Sequence, residues 1–85
     1  MADATVEEIA GYISGNVRRK QIVEVLEKNG SETFQALEKL TRTPKIMLEK
    51  VLKDMAEKGV IKKQKDRYVL TENGGTAATI LGSIH

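Results

Sequence analysis

Residues 34–70 constrain the fold of this chain most, because they carry the start and stop signals of a helix. Pro44 suits the first position of a helix, since its missing N–H would have no partner there, and Thr43 suits the capping position before it. Gly59 suits the left-handed residue that ends such a helix. Between them, apolar side chains recur at the spacing of a helix buried on one face: Leu48, Val51, Leu52 and Met55. We therefore predict a helix over residues 44–58.

Residues 60–70 have the pattern of two short strands joined by a charged turn. Residues 60–61 and 68–70 are apolar, whereas four of the six residues from 62 to 67 are cations. With a shorter helix before residue 44, the whole stretch predicts a short helix, a tight turn, a longer helix and a hairpin.

The length and composition suit one small domain. Of 85 residues, 40% are hydrophobic and 31% charged, and a chain of this size buries only about 60–65% of its unfolded surface. The sequence has no cysteine, which excludes disulfides, thiolate metal sites and a cysteine nucleophile. No apolar run approaches the ~20 residues of a membrane span, and no signal-peptide pattern begins the sequence, so we expect a soluble, cytoplasmic protein.

The charge of the chain is unevenly distributed, although the net charge is only +2. Residues 33–70 hold ten Lys or Arg against five acidic residues, whereas residues 1–32 hold four against six. The basic excess thus lies on the predicted longer helix and hairpin, which favours a polyanionic partner. The alternative is an ordinary solvated surface that is rich in lysine.

Two further helices are predicted before this stretch. Thr5 is an N-cap candidate for an amphipathic helix over residues 5–13, and Asn16 for a second helix over residues 17–28. A single bent helix over residues 5–28 is the alternative. The inner faces are predicted to be apolar: Val6, Ile9, Ala10 and Ile13 in the first helix, and Ile22, Val23, Val25 and Leu26 in the second, which Asn29 and Gly30 end.

Residues 71–85 combine a glycine pair with a weak helical pattern. Gly74-Gly75 predicts a turn, with Thr71 as a cap for a short helical turn. Residues 76–84 then carry an apolar stripe, but a helix this short should not stand alone in water. It must therefore dock on its own domain or on a partner chain.

The pattern of residue types over residues 17–74 resembles the winged helix-turn-helix family, in particular small prokaryotic and archaeal transcription regulators of the multiple-antibiotic-resistance or arsenical-resistance type. The resemblance is carried by an apolar stripe, a helix stop and two strands: Leu48, Leu52, Met55, Gly59, Val60-Ile61, Tyr68-Val69-Leu70-Thr71 and Gly74. It implies a single domain over residues 1–85, mainly α with a small two- or three-stranded antiparallel sheet, in which a three-helix core carries extra terminal helices. It also implies a short strand at residues 31–33 and a core position for Phe34, Leu37 and Leu40.

The resemblance further implies a nucleoid-associated transcription regulator that binds double-stranded DNA, with helix 44–58 in the major groove and hairpin 60–70 on the flanking backbone. The positions carried over as DNA contacts are Arg42, Thr43, Lys45, Ile46, Lys50, Lys53, Lys63, Lys65 and Arg67. Arg42 can bind a base edge or a phosphate bidentately. Glu49 lies on the same face, where it repels phosphate or pairs with a lysine four residues away. The alternative function is a protein-interaction adaptor in a nucleic-acid-processing complex.

Both terminal segments, 5–14 and 76–84, carry apolar stripes with almost no positive charge. We expect them to form a homodimer interface, since related regulators dimerise through such terminal additions. The alternative is that they cover the chain's own core. The predicted interface residues are Val6, Ile9, Ile13, Ala77, Ile80, Leu81 and Ile84.

Catalysis has no support in the sequence. The one histidine, His85, stands last, and no Ser/His/Asp set, HExxH motif, phosphate-binding glycine loop or carboxylate cluster with metal spacing is present. We therefore expect no enzyme activity, no metal and no cofactor, and we leave a small-molecule effector open.

Overall fold

The structure, a computed structural model, describes residues 5–82. Within this range five helices accompany a small three-stranded antiparallel sheet, which confirms the prediction of a mainly helical fold with a small sheet. The elements in chain order are α1 (Val6–Ser14), α2 (Val17–Asn29), β1 (Ser31–Thr33), α3 (Phe34–Thr41), α4 (Lys45–Glu57), β2 (Ile61–Gln64), β3 (Arg67–Leu70) and α5 (Glu72–Gly82). No helix in the described range is long and apolar enough to cross a membrane.

The central strand of the sheet is β3, with β1 on one side and β2 on the other. The short strand at residues 31–33 is as predicted. In the β2–β3 hairpin, Ile61 lies opposite Leu70 and Lys63 lies opposite Tyr68. Directly opposite residues share one face of an antiparallel pair, so the side chains of Lys63 and Tyr68 are neighbours.

Two capped helices, not one bent helix, form the N-terminal part. Thr5 and Glu8 form a capping box at α1: Thr5 Oγ1 accepts from the Glu8 N–H at 3.1 Å, and the Thr5 N–H donates to Glu8 Oε1 at 2.9 Å. Asn16 has an extended backbone, and its side-chain oxygen accepts from the N–H groups of Arg18 and Arg19 in α2. Gly30 follows α2 with a φ of 87°, as predicted for a residue that ends a helix.

The core takes side chains from all five helices of the described range and from the start of the hairpin. Its buried members are Ile9, Ile13, Ile22, Val23, Leu26, Leu37, Leu48, Leu52, Met55, Val60, Ile61, Ala77 and Ala78. Val25 and Val51, predicted to be buried, are half-buried at its edge. Since α1 and α5 contribute to this core and pack against each other, the terminal helices cover their own chain.

The start of α4 differs from the prediction. The helix begins at Lys45, and Pro44 occupies the position before it without a side-chain cap. Thr43 is only 1% exposed, and its hydroxyl bonds to the Thr41 hydroxyl at 2.7 Å and accepts from Arg18 Nη1 at 3.0 Å. The predicted capping role of Thr43 is therefore wrong, because its hydroxyl is bound within the turn between α3 and α4.

The predicted turn at Gly74-Gly75 is also wrong, because both residues belong to α5. Thr71 caps this helix: its Oγ1 accepts from the Gly74 N–H at 3.0 Å. A Cβ on Gly74 would lie 2.1 Å from the Val60 carbonyl oxygen, so the glycine lets α5 approach the start of the hairpin closely. Tertiary packing outweighs the weak helix propensity of the glycine pair.

One predicted core residue of α3 lies at the surface. Leu37 is fully buried, but Leu40 is 55% exposed. The buried stripe of this eight-residue helix follows Leu37 and Thr41 at i and i+4, so Leu40 projects to one side of it. Phe34 is half-buried and packs at the edge of the core.

Candidate nucleic-acid interface

An open groove of about 500 Å³ lies between the start of α3, one face of α4 and the hairpin. Three of the predicted DNA contacts line it: Lys45 and Lys53 from α4, and Lys63 from β2. Its apolar side includes the rings of Phe34 and Tyr68. We call this feature the lysine groove.

The regular geometry of α4 and β2 explains why these lysines meet. Lys45, Glu49 and Lys53 recur at four-residue spacing, so they lie on one face of the helix. On β2, Lys63 is two residues beyond the buried Ile61 and therefore faces the same side of the sheet. The groove thus presents three ammonium groups, with the Glu49 carboxylate among them.

Two other predicted contacts on α4 are exposed on its outer face. Ile46 is 77% exposed, and Lys50, one turn later, is exposed as well. Met47, beside Ile46, is 44% exposed. The N-terminal half of α4 therefore presents apolar surface next to its cations.

The turn before α4 is held by Arg18, a residue outside the predicted site. Its Nη1 donates to the carbonyl oxygens of Thr41 at 3.2 Å and Arg42 at 3.1 Å, and to Thr43 Oγ1 at 3.0 Å. It thus satisfies carbonyls that the end of α3 leaves without helical partners. The sequence carries only a general signal: residues 18–20 are all cations in the first turn of α2, where the helix dipole disfavours positive charge, but nothing in it links them to the turn before α4.

Arg42 and Lys65 are exposed in the turn before α4 and in the turn of the hairpin. Their backbones are left-handed, with φ of 53° and 59°. Among residues 5–82 they are the only residues other than glycine with positive φ. Both predicted contacts are therefore presented to solvent from tight turns.

Two predicted contacts are engaged within the chain. Thr43 is buried, so its hydroxyl cannot reach a phosphate, and we do not retain Thr43 as a DNA contact. Arg67 Nε donates to Ser31 Oγ at 2.8 Å and its Nη2 to the Ser31 carbonyl oxygen at 3.1 Å, with Glu32 Oε1 4.0 Å from Nη2. Arg67 therefore ties β3 to β1 rather than extending toward a ligand.

A second contact missed by sequence reasoning connects α1 to α4. The Tyr12 hydroxyl donates to Asp54 Oδ2, and the Arg19 guanidinium carbon lies 3.8 Å from the Tyr12 ring centroid. Burial raises the pKa of Tyr12, and the hydrogen bond to Asp54 raises it further. The phenol is therefore neutral at physiological pH and serves as a donor that fixes the second half of α4.

The predicted dimer contacts differ in burial. Ile9, Ile13 and Ala77 are at most 2% exposed within the single chain. The alternative prediction, that the terminal segments cover their own core, therefore describes these three residues. Val6, Ile80 and Leu81 lie at least partly at the surface. The last predicted contact, Ile84, lies outside the described residues.

Comparison with known proteins gave no match: no family model, no curated protein and no solved structure matches the chain. Among residues 5–82, no group of three or more His, Cys, Asp or Glu side chains is placed to hold a metal ion. What bears on the function of the lysine groove is its geometry and its charge.

Proposed function

We propose that the chain is a double-stranded DNA-binding protein of the winged helix-turn-helix type and acts as a transcription regulator. The observation that carries this proposal is the lysine groove, to which α4 and the hairpin both contribute cations. The order of helices and the three-stranded sheet suit a duplex that takes α4 in its major groove and the hairpin along the flanking backbone.

In this arrangement the exposed side chains have different roles. Arg42 can bind guanine bidentately, since its guanidinium fork matches O6 and N7. Ile46 is placed to contact a thymine methyl group. The ammonium groups neutralise phosphates, because they are compact charges without a fixed plane. These phosphate contacts are Lys45, Lys50, Lys53, Lys63 and Lys65.

The direct test is fluorescence anisotropy of labelled mixed-sequence duplexes at about 50 mM salt, where phosphate contacts are strong. We expect binding at micromolar protein, weakening steeply as salt is added. If no duplex binds even at high micromolar protein, the proposal of DNA binding is wrong. Selection of bound duplexes from a random pool then measures sequence preference.

Two sets of substitutions separate general from selective contacts. Replacing Lys63 and Lys65 with Ala should weaken binding to all duplexes alike, because phosphates carry no sequence information. Arg42→Ala should weaken binding to the selected duplex by about 1–3 kcal/mol and to others less. Lys28→Ala, at an exposed position in the last turn of α2, is the control for loss of one positive charge.

We further propose a homodimer, because a two-fold pair would present two copies of α4 to successive major grooves. Since Ile9, Ile13 and Ala77 are covered by the chain itself, the contact would involve the outer surfaces of α1 and α5. Sedimentation at tens of micromolar protein tests this. A single monomeric species would contradict the dimer and leave DNA binding open to its own test.

A second function is favoured by exposed apolar side chains near the turn before α4. Leu40, Ile46 and Met47 are all large and exposed, and such surface is more typical of protein contacts than of phosphate contacts. An adaptor would bind another protein through this surface. In that case Ile46→Ser with Met47→Ser should disrupt a co-purified complex, whereas charge reversal in the hairpin should leave it intact.

A further inference from the structure

The lysine groove contains more aromatic surface than phosphate contacts require. The sequence has one Phe, two Tyr and no Trp, and two of these three rings, Phe34 and Tyr68, line this groove. Both residues are half-buried, so part of each remains in contact with solvent. Cations that follow a nucleic-acid backbone, together with rings that stack on bases, are the features of grooves that bind single strands.

A lysine ammonium group lies over one face of the Tyr68 ring. The group over the ring is Lys63, whose Nζ lies 5.8 Å from the ring centroid in a cation–π contact. Lys63 is exposed and lies opposite Tyr68 on the neighbouring strand. A base stacked on the ring would displace this flexible ammonium group, which would remain close enough to bind the adjoining phosphate.

We infer that the lysine groove binds an unpaired nucleic-acid strand, with bases against Tyr68 and Phe34 and phosphates at the three lysines. This inference rests on the proposed function because both require the lysine groove to bind nucleic acid. The two differ in the ligand, which is a single strand here and a duplex there. Every base has a π face, so stacking tolerates many sequences. A single strand would therefore bind without strong base preference.

A substitution at Glu49 tests whether the single strand binds in the lysine groove. Its carboxylate lies between Lys45 and Lys53 on the same face of α4, where it repels phosphates that approach these lysines. Glu49→Gln removes the repulsion with little change of shape, so it should strengthen single-strand binding by about two- to fivefold at low salt.

The test is fluorescence anisotropy of the full chain with a labelled pyrimidine strand of about twelve nucleotides, alone and annealed to its complement. Tyr68→Leu should weaken binding of the single strand by at least about fivefold and of the duplex by less than about twofold, because only unpaired bases stack on the ring. The strand should also quench tyrosine emission. Quenching should persist in Tyr12→Phe, in which Tyr68 is the only tyrosine, and disappear in Tyr68→Leu.

Unchanged single-strand affinity in a folded Tyr68→Leu, or no gain in Glu49→Gln, would overturn the inference, since the strand would then bind elsewhere. Binding of the duplex without the single strand would overturn it too, and would leave the proposed function intact. If the wild-type chain bound neither the single strand nor the duplex, both this inference and the proposed function would fail. Where circular dichroism shows that Tyr68→Leu does not fold, quenching of emission in Tyr12→Phe decides the question, because Tyr68 is then the only tyrosine in the chain.

Discussion

At the scale of single residues, two cations occupy backbone conformations that glycine prefers. Arg42 and Lys65 have φ of 53° and 59°, in the same half of the backbone map as Gly30 and Gly59. The left-handed region costs a residue with a side chain about 1–2 kcal/mol. Cations at positions where glycine would be more stable are expected where the side chain serves a function.

Arg42→Gly should therefore stabilise the fold and weaken the interface at once. We expect the free energy of unfolding to rise by about 0.5–1 kcal/mol, since relief of the strained backbone exceeds the freedom added to the unfolded chain. Duplex binding should fall, because the guanidinium group is lost. Chemical denaturation and anisotropy measure the two effects.

Lys58→Gly is the matched control for this substitution. Lys58, the C-cap residue after α4, has a φ of −81°, so glycine relieves no strain there and should give no gain in stability. Wild-type duplex affinity in Arg42→Gly would contradict a contact role for Arg42.

At the scale of elements, the orientation of α4 depends on contacts from the region that joins α1 to α2. Arg18 bonds to the turn before α4, and Tyr12 bonds to Asp54 in its second half. The partners of Arg18 lie 23 to 25 residues further along the chain, and the partner of Tyr12 lies 42 residues further along. The side chains that hold α4 are therefore distant in sequence from those that line the lysine groove.

A double-mutant cycle of Tyr12→Phe and Asp54→Asn should show a coupling energy of about 1 kcal/mol. Because the pKa of Tyr12 is raised in the folded state, its contribution is constant below about pH 10 and decreases above it, where the unfolded phenol ionises. Urea denaturation of wild type and Tyr12→Phe, from neutral pH to about pH 11, measures the difference. A difference that grows at alkaline pH would contradict the assignment.

The docking of α5 on the hairpin gives a second prediction at this scale. Gly74→Ala should destabilise the fold by about 2 kcal/mol or more, because its Cβ would meet the Val60 carbonyl oxygen. Gly75→Ala, one residue along the same helix, meets nothing within 4 Å and should stabilise by up to about 1 kcal/mol. Thermal unfolding of the pair checks both signs. Equal effects would show that α5 does not pack closely on the hairpin.

The elements that the sequence predicted correctly have local causes. Thr5 and Asn16 cap their helices through residues two or three positions away, and Gly30 and Gly59 have positive φ whatever packs around them. Gly74 was misassigned because the need for a glycine comes from the close approach of α5 to the Val60 carbonyl oxygen, not from a turn. The three cations of the lysine groove are among the contact positions that the winged-helix resemblance implied.

The remaining features of the site depend on long-range packing. No spacing rule connects Arg18 to the turn before α4, and the core packing predicted for Phe34 gave no sign of the groove beside its ring. Thr43 and Arg67 are residue types that often contact phosphates. Only the structure shows that their side chains bond to other residues of the chain instead.

At the scale of the whole molecule, the basic excess of residues 33–70 should appear as a steep salt dependence of binding. If the five lysines proposed to contact duplex phosphates each neutralise one phosphate, the log–log slope is about −4.5 for a duplex, and the three lysines of the lysine groove give about −2.1 for a single strand. The variant with Lys63→Ala and Lys65→Ala should reduce the duplex slope by about 1.8. Anisotropy titrations over a range of salt concentrations measure it. A slope unchanged by these substitutions would mean that the hairpin does not contact the backbone.

Because β2 is an edge strand of the sheet, its lysines have a second effect besides binding. With β3 in the centre, β2 has an open edge whose backbone groups are a template for any extended chain that approaches. Lys62 and Lys63 oppose such pairing, because two copies joined edge to edge would bring like charges together. Neutralising the hairpin therefore removes a barrier to aggregation, so affinities of such variants should be measured on samples shown by light scattering to be monodisperse.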